Sequence, residues 1–454
     1  MTLEVLKDRR NHIIKKRGEM EDLPACEKES LAGAVSQRAC VYSGARVVLN
    51  PITDAIHLVH GPVGCASYTW DIRGSKSGEA QTYRHSFSTD LQEEDIIFGG
   101  TEKLYRALNE LVARYRPPAV FVYATCIVGL IGDDLKAVCG RVTEETGCTI
   151  IPVQSEGFKG NKTEGYKAAC DALFDYLIGT ATGDNNYPYV VNLMGEYNVA
   201  GDFWAIEPYF KEMGVRIGAT FTGNAKVNDL RSAHYAKLNL VQCTGTVTYL
   251  AQKMEQKYSL PWRKVNFFGL EGMEEALLTT ATFFGNRLML DRAKEIIRQE
   301  KKRIFGPLIF YKKRLQGKTA AIYMGGAAKA LALIKAFKLL GMETVLVGTQ
   351  SGKRDDYAQL MAEADDGTVI IDDANPAELA EMLTTLKAGV LVGGVKERYL
   401  SYKLAIPFVD FNHDRTSLFA GFDGLVNFAR LVDTTINSPV WALVRGKFER
   451  NAFI

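Results

Sequence analysis

The sequence predicts an α/β protein of three Rossmann-like domains built on parallel sheets. Three observations carry the fold class. Short β-branched runs alternate with amphipathic helical stretches, the pattern of a parallel sheet. That alternation restarts twice along the chain. The 454 residues also exceed what one hydrophobic core usually organises, so two or three domains are expected.

Taken in order, residues 1–30 read as a charged arm, expected to wrap a partner or fray. It lacks the apolar stretch of a secretory signal. The first domain is expected over 31–183. Leu104, Leu108, Leu111 and Val112 recur at helical spacing between Thr101 and Tyr115. After Pro117-Pro118 the run Ala119 to Ala124 reads as a buried strand. A helix from Asp133 to Thr146 and a strand from Thr149 to Val153 follow. The polar linker Thr180 to Asn186 closes the unit. A second domain, 184–316, opens with the strand Tyr189 to Met194. A third, 317–454, opens with Lys318 to Met324 and ends that strand in Gly325-Gly326. It continues with strands at Thr344 to Val347, Val369 to Ile371 and Ala388 to Val392. Ligands of such sheets sit at the carboxyl ends of strands, so the loops after Ala124, Met324 and Val392 are the informative ones.

Composition narrows the function. Lys and Arg number 55 against 53 Asp and Glu, a net charge of +2, which gives no reason to expect nucleic acid or an acidic membrane as partner. No apolar run reaches membrane-spanning length, and a cytoplasmic location is expected. Eight Cys, at 26, 40, 65, 126, 139, 148, 170 and 243, do not make a disulfide scaffold in a chain of this size.

Cys40, Cys65 and Cys126 have small or Gly-rich surroundings: Cys40-Val-Tyr-Ser-Gly44, His60-Gly-Pro-Val-Gly-Cys65, and Thr125-Cys126 directly after a strand. Gly-rich turns let backbone approach a cluster sulfide, and Cys thiolates are the usual iron–sulfur ligands. Three buried packing residues are the competing reading. Cys243, where a strand should end before a helix, could be ligand, nucleophile or core residue. Cys139, Cys148 and Cys170 suit packing, and Cys26 lies in the arm. Gly325-Gly326 and Gly393-Gly394-Val-Lys396 suggest either tight turns or a cradle for an anion. His60 reads as structural, and His413 as a ligand or proton donor.

Taken together, Cys40-Val-Tyr-Ser-Gly44, His60-Gly-Pro-Val-Gly-Cys65, Thr125-Cys126, Val241-Gln-Cys243, Asn266-Phe-Phe-Gly269, Gly394-Val-Lys-Glu-Arg398 and Ser438-Pro-Val-Trp441 resemble the α-subunit superfamily of nitrogenase component 1, in its NifE-like branch. The order and spacing of these motifs carry the resemblance over nearly the whole chain from residue 30. It implies a heterotetramer of two such chains with two homologous β-type chains. It implies that Cys40, Cys65 and Cys126 ligate an interfacial iron–sulfur cluster, a P-cluster [8Fe–7S] or a [4Fe–4S]. Cys243 then holds a large Fe8S9C-type cluster (an L-cluster or related cofactor), Gly325, Gly326 and Lys396 lie on the cofactor side, and a separate ATP-hydrolysing iron protein supplies electrons.

Departures exclude a dinitrogen reductase. Asn412 stands where such enzymes ligate molybdenum with His, with His413 one residue on. Tyr166 matches a distal His, Ala328 matches an Arg, and only Arg73 keeps its counterpart. Two functions remain. One is a nitrogenase-like reductase cleaving carbon–sulfur bonds of a small methylthio-alkane substrate, with Tyr166, His413 and Arg73 as catalytic candidates. The alternative is a scaffold on which the nitrogenase cofactor matures. Thr244-Gly-Thr246, Gly78-Glu79 and Asn266 depart from the scaffold pattern, and the sequence reading leans narrowly to the reductase.

Overall fold

The computed structural model describes residues 9–18, 22–26, 40–69, 76–80, 85–183, 187–242, 246–412, 415–441 and 443–444. The chain is α/β, with three sheets whose strands run parallel except for one added edge strand. It divides into two compact units, residues 38–265 with 279–292, and residues 1–37 with 266–278 and 293–454.

The first of these units contains two four-stranded sheets. Strands β2 (Ile56–His60), β3 (Ser86–Ser88), β4 (Ala119–Ala124) and β5 (Thr149–Val153) are ordered β3-β2-β4-β5. Every residue of β2 and β4 is buried, as expected of strands covered on both faces. Strands β6 (Val190–Met194), β7 (Arg216–Phe221), β8 (Leu238–Val241) and β9 (Trp262–Lys264) repeat the pattern as β7-β6-β8-β9. The expected boundary near residue 183 separates the two sheets but not two cores. Phe121, Tyr123 and Ile151 share one apolar cluster with Met194, Phe221 and Val241. Arg231 further ties the sheets by donating to Pro118 O and Thr149 Oγ1.

The remaining unit holds β10 (Thr319–Met324), β11 (Glu343–Thr349), β12 (Val369–Asp372), β13 (Val390–Gly393) and β14 (Phe408–Asp410), with β1 (Ile13–Lys15) added at the edge, ordered β1-β12-β11-β10-β13-β14. Strand β1 corrects the expectation for the arm. Residues 13–15 pair antiparallel with β12, Ile13 opposite Ile371. Arg9 donates to Asp372 O and Asp373 O and meets the Glu378 carboxylate at 3.1 Å. A bare β12 would present unpaired backbone groups, and the arm covers them. It wraps its own chain.

In each sheet the first parallel strand has neighbours on both sides, leaving a crevice at the strand carboxyl ends where the order reverses. These points lie between β2 and β4, β6 and β8, and β10 and β13. Among the described residues no helix is long and apolar enough to cross a membrane.

Candidate metal centre

The crevice between β2 and β4 opens onto the loops carrying Cys65 and Cys126. Strand β2 ends at His60, and Gly61-Pro62 turns the chain into the helix Val63–Thr69, with Cys65 in its first turn. Strand β4 ends at Ala124, Thr125 caps the next helix, and Cys126 is the first residue of that helix, Cys126–Ile131. The two loops are locked together. Thr125 Oγ1 donates to His60 O at 2.9 Å. A β-carbon on Gly61 would stand 2.2 Å from Thr125 Oγ1, so only glycine permits this approach.

Cys40 arrives on a third element. It precedes the helix Val41–Leu49 and pairs as an isolated bridge with Asn161, which caps the helix Lys162–Tyr176. Those two helices cross at Gly44 and Gly165. A β-carbon on Gly165 would come within 1.9 Å of Val41 O, and one on Gly44 within 2.2 Å of Lys162 O. Backbone therefore packs on backbone, and the crossing fixes the start of the Cys40 helix.

Two of the sulfurs meet at Gly157, between β5 and the helix Lys162–Tyr176. A β-carbon there would lie 2.9 Å from Cys126 Sγ and 3.4 Å from Cys40 Sγ. Cys65 belongs to the same group: burial first, then Cys126 and Cys40, push its thiol pKa up. Positive charge beside Cys65 would be needed to favour its thiolate. Among the described residues no three or more His, Cys, Asp or Glu could hold a single metal ion, and all three thiols are free. The three Cys have the donor chemistry that iron–sulfur clusters take.

His60 is structural, as expected. It is fully buried, with Nδ1 3.0 Å from Thr89 Oγ1 and Nε2 3.0 Å from Asp133 Oδ2. Burial outweighs the Asp133 carboxylate and lowers its pKa. Cys139 and Cys170 are core residues, and burial pushes the Cys139 thiol up to about 12. Cys148 donates to Pro117 O at 3.3 Å. Cys26 packs, partly buried, on the core of its own unit. Large apolar side chains remain exposed on the helices of Cys65 and Cys126, Val63 and Leu130, and beside Gly157, Phe158.

Cys243, Arg73 and His413 lie outside the described residues. Strand β8 ends at Val241, two residues before Cys243, with Gln242 N donating to Met194 O. Tyr166 is partly buried in the helix Lys162–Tyr176, with Lys162 Nζ 5.3 Å from its ring centre.

In the six-stranded sheet the candidate cofactor residues gather on neighbouring strand ends. Gly325 and Gly326 follow β10, Lys396 follows β13 and Asn412 follows β14. A β-carbon on Gly325 or Gly326 would meet nothing within 4 Å, so protein packing does not require glycine there. Gly394 N donates to Glu397 Oε2 at 2.9 Å, and Gln350 Nε2 to Glu397 Oε1 at 3.2 Å. Lys329 Nζ reaches Asn412 Oδ1 at 3.3 Å. Gly157, Glu397 and Lys329 were missed in the sequence. Only Gly157, in Glu156-Gly-Phe-Lys-Gly160 after a strand, carried the small-residue signal used for the Cys loops.

Comparison with known proteins adds a second line. A family model described as nitrogenase component 1 type oxidoreductase matches residues 40–437. The nitrogenase iron-molybdenum cofactor biosynthesis protein NifE of Methanosarcina barkeri is 52% identical over 98% of both chains. That of Clostridium pasteurianum is 52% identical over 92% of this chain and 91% of its own. The nitrogenase molybdenum-iron protein alpha chain of Methanosarcina barkeri is 33% identical over 97% and 93%. A solved structure, nitrogenase Cp1 at pH 5, superposes with a TM-score of 0.89 at 32% identity over 98% and 97% of the two chains. The chain belongs to the nitrogenase component 1 family of oxidoreductases, and within it to the NifE branch.

Proposed function

We propose that this chain is a scaffold subunit for maturation of the nitrogenase iron–molybdenum cofactor. One observation carries the choice over a reductase. Within one organism, Methanosarcina barkeri, the chain is 52% identical to the cofactor-biosynthesis protein and 33% to the molybdenum-iron alpha chain. The narrow lean to a carbon–sulfur reductase is therefore reversed. Two departures behind it have structural explanations. Asn266 caps a turn by accepting from Phe268 N at 3.0 Å. Gly78 adopts φ +58 while its N–H bonds Asn224. Thr244-Gly-Thr246 falls largely outside the described residues.

Cys40, Cys65 and Cys126 would hold a resident iron–sulfur cluster, which supplies one-electron transfer when bound. Gly157 leaves room beside two of the sulfurs. Elements bearing Val63, Leu130 and Phe158 would be covered by a homologous β-type partner, since exposed apolar groups around such a centre mark an interaction face. An ATP-hydrolysing iron protein would be the electron source. Cys243 would anchor the precursor cluster as cargo. Gly325, Gly326, Lys396 and Asn412 would receive the organic acid added during maturation. Asn412, a poorer metal ligand than His, suits a cargo that must leave. With cargo rather than a small substrate, Tyr166, Arg73 and His413 need transfer no catalytic proton.

Replacing the anchor tests this. Cys243→Ala, purified with its partner, is expected to lose the large cluster and keep the interfacial one. Iron analysis and EPR read both. Unchanged iron content would contradict the assignment.

A further inference from the structure

We infer that the buried carboxylate of Glu156, held from its solvent side by Lys159, lowers the reduction potential of the cluster assigned to Cys40, Cys65 and Cys126, so that an electron arriving there is passed on rather than stored. The inference rests on that cluster assignment and concerns a residue outside the ligand set.

Glu156 is 5% exposed. It immediately precedes Gly157, whose absent β-carbon would touch Cys126 Sγ and Cys40 Sγ. Its Cγ lies 2.8 Å from the point a Gly129 β-carbon would occupy. Gly129 is three residues after Cys126 in the helix Cys126–Ile131, and residues so spaced are neighbours on one helix face. The carboxylate thus sits about one turn from a ligand sulfur.

Its two oxygens differ. Oε1 accepts from Lys159 Nζ at 2.7 Å. Oε2 is buried and has no hydrogen-bond partner. A buried anion with an unsatisfied oxygen is costly to fold, and the Lys159 ion pair on Oε1 leaves Oε2 uncompensated. Lys159 is half exposed, so its charge is shared with water and screens the carboxylate only in part. One-electron reduction adds negative charge to the cluster without making or breaking a covalent bond. A fixed anion close by, in a medium less polarisable than water, opposes that charge. Neutralising Glu156 should ease reduction, and removing Lys159 should hinder it. Opposite signs from two neighbouring residues distinguish electrostatics from packing.

The test is an EPR-monitored redox titration of the purified complex with its β-type partner, comparing the unaltered protein with Glu156→Gln and Lys159→Met. The expected result is an upward shift of the midpoint in Glu156→Gln and a downward shift in Lys159→Met, with iron per complex unchanged. Midpoints that stay put in both variants, or move the same way with loss of iron, overturn the inference and leave the cluster assignment standing. An unaltered complex with no cluster at these Cys overturns the assignment and the inference with it.

Discussion

At the scale of single residues, Gly157 and Glu397 make the sharpest demands. Gly157→Ala would place a methyl group 2.9 Å from Cys126 Sγ and 3.3 Å from Cys40 Cβ. The expected outcome is lower interfacial iron per chain with unchanged far-UV circular dichroism, since the strands and helices around it do not depend on that position. Glu397 offers a pH test in the other unit. It is buried against the residues that follow β11 and β13, and burial pushes its carboxyl pKa up to about 7 despite the donor at Gly394. The folded state therefore binds this proton more tightly than the unfolded chain. That contribution to stability is full below the ordinary carboxyl range and is lost as pH rises through about 7. Glu397→Gln should gain on the unaltered protein between pH 5 and pH 8 by an amount on the order of 1–3 kcal/mol. Denaturant unfolding at the two pH values measures it, and a difference independent of pH would contradict it. Neither residue stood out in the sequence. Gly157 looks like any turn glycine until the distant Cys40 and Cys126 segments meet beside it, and a Glu at the start of a helix reads as an exposed dipole partner until packing buries it.

At the scale of elements, the helix crossing at Gly44 and Gly165 positions Cys40. A methyl group on Gly165 would overlap Val41 O and Ala45 N, backbone atoms that cannot rotate away. Gly165→Ala should cost about 3 kcal/mol, the upper end for overpacked cores, and should lower interfacial iron as well. Gly140 is the matched control: it lies in the helix Leu135–Thr146 with nothing within 4 Å of a β-carbon. Gly140→Ala should stabilise by about 0.5–1 kcal/mol. Urea midpoints of the two variants should move in opposite directions. Strands were the most legible elements. Residues 119–124, 149–153 and 319–324 were readable because strands buried on both faces are continuous apolar runs. The short helix Cys126–Ile131 and the edge strand Ile13–Lys15 were not. Six residues carry too little helical period, and Ile13-Ile14 sits among charges in a segment whose pairing partner lies more than 350 residues away.

At the scale of the whole molecule, three sheets repeat one topological device, a crevice where strand order reverses. Each crevice receives one set of candidate residues: Cys65 with Cys126, the segment leading to Cys243, and Gly325 with Lys396. The order of motifs along the chain made the family legible, whereas spacing alone left ligand and packing roles open for each Cys. Choosing between reductase and scaffold was beyond the motifs, because both proposed functions would use the same Cys as ligands. The difference lies in whether the large cluster stays or leaves, a property of binding strength that no residue type declares. The central claim is that it leaves. The direct measurement is transfer: the complex of this chain with its β-type partner, loaded with cluster and matured with molybdate, the organic acid, iron protein and ATP, is mixed with cofactor-free molybdenum-iron protein, and substrate reduction by the latter is followed. The scaffold account predicts that activity appears in the acceptor and is absent when the donor carries Cys243→Ala. No activation of the acceptor, with ATP-dependent methanethiol release from methylthio compounds by the complex itself, would contradict it.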